Sequence, residues 1–472
     1  MMYPRLKLSR NLLADNGVIF ISIGEDEQAN LRKLCDEIFS ESCYVGQIIP
    51  ISNPRGSQEP YGISSVHEYL LCYTKQSDGV STLNGISRDD ESEFNYTTKD
   101  GKKARLLGLR KRGGDWKRSD RPNMFFPFYV SPTGLTVSLI KDDEHTYEVL
   151  PKRPTGEESR WTWGSETASA RTRELVAKEI TRGNSKDYDV YRIDLLEDEA
   201  GKQKLQKVKS VWDEKELNYQ NARTVIKELF GNSELFDFPK PVELVVKLLQ
   251  MIDTDNYIVL DFFSGSSTTA HAVMELNAED GGNRKHIQVQ LPEETGEKSE
   301  AFKAGFKTIP ELARERIRRA GDKIASEHPD AKVDFGFRAL TITDTNYKDV
   351  YKSASETTQQ ALLDTVDNVK EDRSELDLLY GVLTATALEL NRPLKTKDIT
   401  GSTVYLYDYL NEISGLIACF SASISEETIK EIAKLKPLTA VFRDSSFPDS
   451  QAKVNLSEHF RIISPDTKIK VI

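Results

Sequence analysis

Apolar and polar positions change their rhythm three times along the chain. Met2 to Leu13 reads as a helix, closed by the turn signal Asp15-Asn16-Gly17. Val18 to Ile23 (VIFISI) is short and β-rich, the pattern of a strand buried in a sheet. A second helix is predicted over Glu27–Phe39 and another strand over Glu68–Tyr73 (EYLLCY). This is alternating α/β material that begins in mid-rhythm, with a helix first and no strand before it.

From about Lys75 to Gly231 no long period holds, and turn residues, charges and aromatics alternate; all four tryptophans (Trp116, Trp161, Trp163, Trp212) lie there. A β-containing insert with long loops fits such a stretch. The α/β rhythm then resumes as a helix (Pro241–Met251), a strand (Tyr257–Asp261), a helix (Thr268–Asn277), a strand (His286–Leu291) and a long charged helix (Ile309–Glu327). After about Tyr351 the chain is acidic, with helices such as Leu376–Leu390 and short strands at Leu438–Phe442 and Ile469–Ile472. The expected domains are therefore 1–75, 76–235, 236–345 and 346–472. No repeat of 20–50 residues and no low-complexity tract interrupts them.

A length of 472 residues accommodates several domains, and 29% charged against 38% hydrophobic residues is ordinary for a soluble protein. No apolar run reaches the ~20 residues that span a bilayer, and the first residues lack the apolar core of a signal peptide. Four cysteines (Cys35, Cys43, Cys72, Cys419), none in a C-x-x-C pair, make no disulfide framework; a reducing cytoplasm is the plain reading. The net charge of −11 argues against a nucleic-acid binder, with one local exception. Between Lys99 and Arg121 there are ten Lys/Arg and three Asp. A duplex meets one surface of a protein, so such a patch outweighs the sum.

Tyr257–Asn277 (YIVLDFFSGSSTTAHAVMELN) carries the chemistry. A strand ends at Asp261, a Gly/Ser loop follows, and a helix starts near Thr268. Small residues let backbone approach a ligand, and a helix N-terminus favours an anionic group. Such a loop holds a dinucleotide, a phosphate or S-adenosyl-L-methionine, or is a plain strand-to-helix turn. No lysine is present to make a P-loop, and Gly265 stands alone where a dinucleotide fingerprint needs three glycines. Six scattered histidines show no metal-ligand spacing, and His271 on the following helix reads as a packing residue rather than a base.

Asp-x-Phe-x-Gly-Ser-x-Thr-Thr resembles the S-adenosyl-L-methionine motif of amino-group DNA methyltransferases. The resemblance carries Asp261, Phe263, Gly265, Ser266, Thr268 and Thr269 over as cofactor-binding residues. Many relatives have a second glycine where this chain has Ser267. Phe236–Lys247 (FDFPKPVELVVK) resembles the family's helix-entry motif, which would set Pro239, Lys240 and Pro241 against the cofactor. In HIQVQLPE, Gln290 stands where an acidic residue commonly grips the ribose hydroxyls, with Glu293 three residues on.

The order of these segments resembles the β-group of DNA methyltransferases, in which a target-recognition region separates the catalytic half from the cofactor half. Arg160-Trp161-Thr162-Trp163-Gly164, Gly305–Gly321 and the tail with Asp444-Ser445 are similar to modification (Mod) subunits of type III restriction–modification systems. The resemblance implies an α/β, Rossmann-like methyltransferase sheet, interrupted by a target-recognition insert and followed by a C-terminal α+β assembly domain. It implies methyl transfer to adenine N6 in double-stranded DNA, and assembly with a second Mod and a restriction (Res) subunit. Within the insert, Arg110, Arg112, Trp116, Arg118 and Arg121 are the candidate DNA contacts.

The family holds its flipped base with Asp-Pro-Pro-Tyr or a close variant. No such string occurs; Asn53-Pro54-Arg55 and Asp237-Phe238-Pro239 do not fit. No catalytic residue is therefore assigned. The sheet is expected to be incomplete at the N-terminus, and the chain alone inactive, needing a separate N-terminal polypeptide or being a truncated product. The alternative is a DNA-binding or assembly protein without catalysis.

Overall fold

The computed structural model describes residues 2–56, 62–77, 83, 85, 92–182, 185–198, 201, 204–205, 207–348, 369–409 and 412–472. The chain divides into two compact units, Met1–Phe335 and Gly336–Ile472. The sequence pattern sets this division at residues 345 and 346, and its marker Tyr351 lies outside the described residues.

The first unit opens with α1 (Met2–Leu12), β1 (Val18–Ile23), α2 (Glu25–Phe39), β2 (Tyr44–Pro50) and β3 (Tyr69–Thr74). β3 lies between β1 and β2 and runs antiparallel to both, so β1 and β2 are parallel to each other. The two-residue period of a strand sorts the side chains. Ile19, Leu71 and Tyr73 join Leu6 of α1 and Leu31, Cys35 and Phe39 of α2 in one core. Phe20, Ile48 and Leu70 enter another core on the opposite face. Covered on both sides, β3 has no polar face, which is why it reads as an unbroken apolar run. In α2 the buried residues recur every four positions, and Glu25, Asp26 and Glu27 in its first turn oppose the positive end of the helix dipole.

Next come β4 (Tyr96–Thr97), β5 (Lys103–Gly108), β6 (Phe128–Val130), β7 (Val137–Ser138), β8 (Tyr147–Val149), α3 (Ser165–Ala170), β9 (Leu175–Arg182) and β10 (Ser185–Leu195). They form two antiparallel sheets, ordered β4-β5-β10-β9 and β7-β6-β8. Leu109, Phe128, Val130, Trp161 and Val190 share one core between them. Trp161 is fully buried, and its indole N–H donates to the Phe126 carbonyl at 2.8 Å. β11 (Val211–Trp212) then pairs in parallel with β2, stitching this segment to the first sheet.

α4 (Tyr219–Phe230) and α5 (Val242–Gln250) follow. α5 covers the second face of the first sheet with Leu244 and Leu248. β12 (Ile258–Asp261), α6 (Thr268–Asp280) and β13 (Lys285–Gln288) make a βαβ unit whose strands are parallel. Val242 and Leu249 of α5 pack on Ala272, Val273 and Leu276 of α6. α7 (Glu300–Lys303) and α8 (Ile309–Glu327) close the unit, with α8 against α6 and α4. Phe262, just past β12, packs on the core under β1 and so draws the βαβ unit onto the first sheet. Among the described residues no hydrogen-bonded strand joins β1 to β12.

The second unit holds α9 (Glu375–Ala385), β14 (Leu394–Ile399), β15 (Ser402–Tyr409), β16 (Glu412–Cys419), α10 (Glu426–Lys434), β17 (Thr439–Phe442), α11 (Ser450–Ile463) and β18 (Lys468–Val471). Its sheet follows chain order, antiparallel from β14 to β16 and parallel from β16 to β18. Val404, Ile417 and Phe442 face α10 and α11, while Tyr405, Leu416 and Val441 face α9. Helices therefore cover both faces. Among the described residues no helix is long and apolar enough to cross a membrane.

Candidate functional site

Asp261, the last residue of β12, locks the loop that follows it. One carboxylate oxygen accepts from the Phe263 amide at 3.2 Å and the other from the Thr269 hydroxyl at 2.6 Å. The carboxylate thus spans the loop and ties strand end to helix start. Gly265 sits at φ +49° and Ser267 at φ +60°, both left-handed, which folds the loop back on itself. A Cβ at Gly265 would stand 3.4 Å from Phe236, so backbone and ring approach closely. Ser264, Ser266, Ser267 and Thr268 are buried, whereas Phe263 is 55% exposed. The N-terminus of α6, a helix of 13 residues, lies directly behind.

Small side chains, a left-handed turn and a helix N-terminus at the carboxyl end of a parallel strand make a cradle for a ligand with an anionic end. The six residues of the sequence motif converge here. Gln290 joins them in an unforeseen way: its side-chain oxygen accepts from the Gly265 amide at 2.8 Å. That carboxamide supports the loop, leaving its amino group as the donor that could meet a hydroxyl.

Pro239 is buried, and Lys240 is linked to the loop through the Thr268 hydroxyl, which donates to the Lys240 carbonyl at 3.4 Å. The Lys240 ammonium is paired. It donates to both oxygens of Glu68, at 2.7 and 2.5 Å, and to the Tyr219 hydroxyl at 3.0 Å. Tyr219 in turn donates to Glu68, and Ser22 reaches the same carboxylate at 3.4 Å. Burial, then the Glu68 charge, pushes the Tyr219 phenol above its ordinary pKa, so it stays a neutral donor. Ser22 near the end of β1, Glu68 just before β3 and Lys240 before α5 thus meet where β1 ends and β3 begins. Glu68 and Tyr219 escape a sequence reading because no motif marks them, and 172 residues separate Glu68 from Lys240.

His271 is buried, and burial, with Arg316 and Lys323 nearby, pulls its pKa down to about 3. Such an imidazole stays neutral at physiological pH. Among the described residues no group of His, Cys, Asp and Glu is arranged to hold a metal ion.

The five candidate DNA contacts are placed differently from one another. Arg110 is held inside, its side chain 11% exposed and 3.8 Å from Asp189. Arg112 and Arg121 are exposed. Arg118 is half-exposed, ion-paired with Glu158 at 2.9 Å and lying over the Phe125 ring. The Trp116 ring carries the Arg153 guanidinium 3.9 Å from its centroid. This stacked pair adds Arg153 to the basic side chains that a reading of residues 99–121 alone collects.

Residues 1–297 match the DNA methylase family N6_N4_Mtase. The chain is 30% identical over 437 residues to the type III restriction-modification enzyme EcoPI Mod subunit of Escherichia phage P1, covering 91% of this chain and 65% of that protein. It is 34% identical over 332 residues to the type II methyltransferase M.KpnI of Klebsiella pneumoniae, covering 70% and 75%. Against the type III StyLTI Mod subunit of Salmonella typhimurium the identity is 33% over 338 residues, covering 71% and 47%. The chain thus spans about half to two thirds of the length of these Mod subunits. A family match across residues 1–297 of 472 means that the protein belongs to the DNA methylase family.

Proposed function

We propose that the chain serves in a site-specific DNA adenine-N6 methyltransferase, as the modification subunit of a type III restriction–modification system. The loop from Asp261 to Thr269, built at the carboxyl end of β12 and locked by its own carboxylate, is the observation that carries this reading. S-adenosyl-L-methionine, when bound, supplies the methyl group. The chain's residues bind and orient it. The Gly265–Ser267 turn gives backbone access, the start of α6 favours a carboxylate, and the exposed Phe263 ring offers an apolar face. Lys240, Glu68 and Tyr219 shape the adjoining wall.

The match to M.KpnI favours a type II methyltransferase instead. The match to the EcoPI Mod subunit tips the balance: 437 aligned residues exceed the first unit, Met1–Phe335, and so run into the second. On this reading the partners are duplex DNA, met through the segment holding Arg112 and Trp116, a second Mod and a Res subunit.

Calorimetric titration of the chain with S-adenosyl-L-methionine tests the cofactor site. One site with a dissociation constant in roughly the micromolar range is expected, weakened at least tenfold in Asp261→Ala. No heat of binding would sink the reading. A duplex-retention assay with tritiated cofactor separates the functional classes. DNA held without label transfer, even with an added polypeptide carrying Asp-Pro-Pro-Tyr, favours a non-catalytic binder.

A further inference from the structure

α8 presents a stripe of Leu312, Ala313, Ile317, Ala320 and Ile324 to the core, and Arg316 stands in the middle of it, 1% exposed. A guanidinium in such a place is costly unless its charge and donors are met. One of its terminal nitrogens meets them on a single object. Nη1 donates to the Ser266 hydroxyl at 2.6 Å, to the Thr268 hydroxyl at 2.7 Å and to the Ser266 carbonyl at 3.4 Å. These acceptors are the buried rear side of the loop whose front is the candidate cofactor cradle. The charge of Glu243, in the first turn of α5, favours the protonated guanidinium. Nε and Nη2 have no hydrogen-bond partner, and neither has the buried Glu243 Oε2.

This arrangement is lopsided, and that is its use. The hydroxyls of Ser266 and Thr268 are offered to Nη1 only while the loop keeps its folded-back shape. Opening the loop would strand Nη1, the one guanidinium nitrogen with partners, so the cost of burying Arg316 becomes a penalty on opening. A site ordered before its ligand arrives loses less freedom on binding. We propose that Arg316 is a positioning residue for the cofactor loop, holding Ser266 and Thr268 from behind without touching the ligand. The role rests on the cofactor reading for its purpose, but its mechanical part is independent of it.

Hydrogen–deuterium exchange and cofactor titration on the full chain test both parts. In Arg316→Met, amide exchange over residues 262–270, without ligand, should rise at least tenfold while α8 keeps wild-type protection. The dissociation constant for S-adenosyl-L-methionine should rise about tenfold, and Arg316→Lys, which restores charge and a donor, should recover part of both changes. Ser266→Ala removes an acceptor without disturbing the α8 stripe and should loosen the same residues, so the test survives if Arg316→Met folds poorly. Unchanged loop exchange in these variants overturns the proposal. So does loss of protection across α6 and α8 together, which would make Arg316 a packing residue alone. Wild-type chain that binds no S-adenosyl-L-methionine, with loop exchange still rising in Arg316→Met, would sink the cofactor reading and leave the clamp standing.

Discussion

His271 and Glu275 stand one turn apart on α6, 3.5 Å from each other, and burial drives them in opposite directions. The imidazole falls to about 3, whereas the Glu275 carboxyl rises to about 7 through burial and then its acidic neighbours Glu279 and Glu243. For Glu275 the folded chain binds more protons than the unfolded one between about 4.5 and about 7, so its contribution to stability falls as pH rises through that window. For His271 the folded chain binds fewer protons between about 3 and 6.5, so its contribution is complete above 6.5 and falls as pH drops. Glu275→Gln removes the first effect alone. Urea unfolding should show the variant gaining on wild type from about pH 4.5 to about pH 7 and holding that gain above it. Stability curves that stay parallel across this range would refute the assignment. At this scale the sequence names the loop residues, because a small-residue turn after a strand is a local pattern. It does not show that Gln290 is engaged by Gly265 or that Lys240 is paired by Glu68, since both depend on segments meeting in space. Ser267 is an intermediate case. Relatives with a glycine there point to a left-handed residue, and Ser267 adopts φ +60° at a cost of roughly 1–2 kcal/mol.

Elements with both an unbroken pattern and clear ends are legible, and others are not. The helix over Ile309–Glu327 coincides with α8, helped by a capping box of Thr308 and Glu311. β2 is missed because YVGQIIP mixes a glycine and a glutamine into a short strand, so neither period shows. α4 is missed inside the irregular stretch, although Asn218 caps its start and Gly231, at φ +81°, ends it. In the second unit two strands are legible and five form, because β15 and β16 send alternate residues into cores on both faces and lose the polar beat of a half-buried strand. The segment Arg160–Trp163 resembles part of a family signature, and its physical role is plain: Trp161 fills the core between the two antiparallel sheets. The same structural sorting separates the arginines. If the exposed Arg112 and Arg121 each meet a phosphate, replacing both by alanine should lower duplex affinity and reduce the slope of log affinity against log salt by about 2. The melting temperature should hardly change. Arg110→Ala, which strips Asp189 of its buried partner, should lower that temperature instead. A salt slope unaltered in the double variant would remove these two side chains from the DNA surface.

Each compact unit is built around cores of its own. Leu378, Leu383, Val404, Ile432, Val441 and Phe460 fill the second unit on both sides of its sheet, while the first unit holds the cores around Leu6, Leu248, Val273 and Trp161. Domains with separate cores commonly unfold in separate transitions. Calorimetry should therefore resolve two transitions, and residues 336–472 produced alone should reproduce one of them. The loop after β12, Arg316 and Lys240 all belong to the first unit, Met1–Phe335. A ligand raises the stability only of the body that binds it, by an amount that grows with the logarithm of its concentration. Adding S-adenosyl-L-methionine should move the transition of the first unit upward and leave the other where it stands. If both move together, the units are coupled in unfolding. If the shift belongs to residues 336–472, the loop after β12 is not the site that binds the cofactor. A shift confined to the first unit assigns binding to the part of the chain that the DNA methylase family matches, residues 1–297.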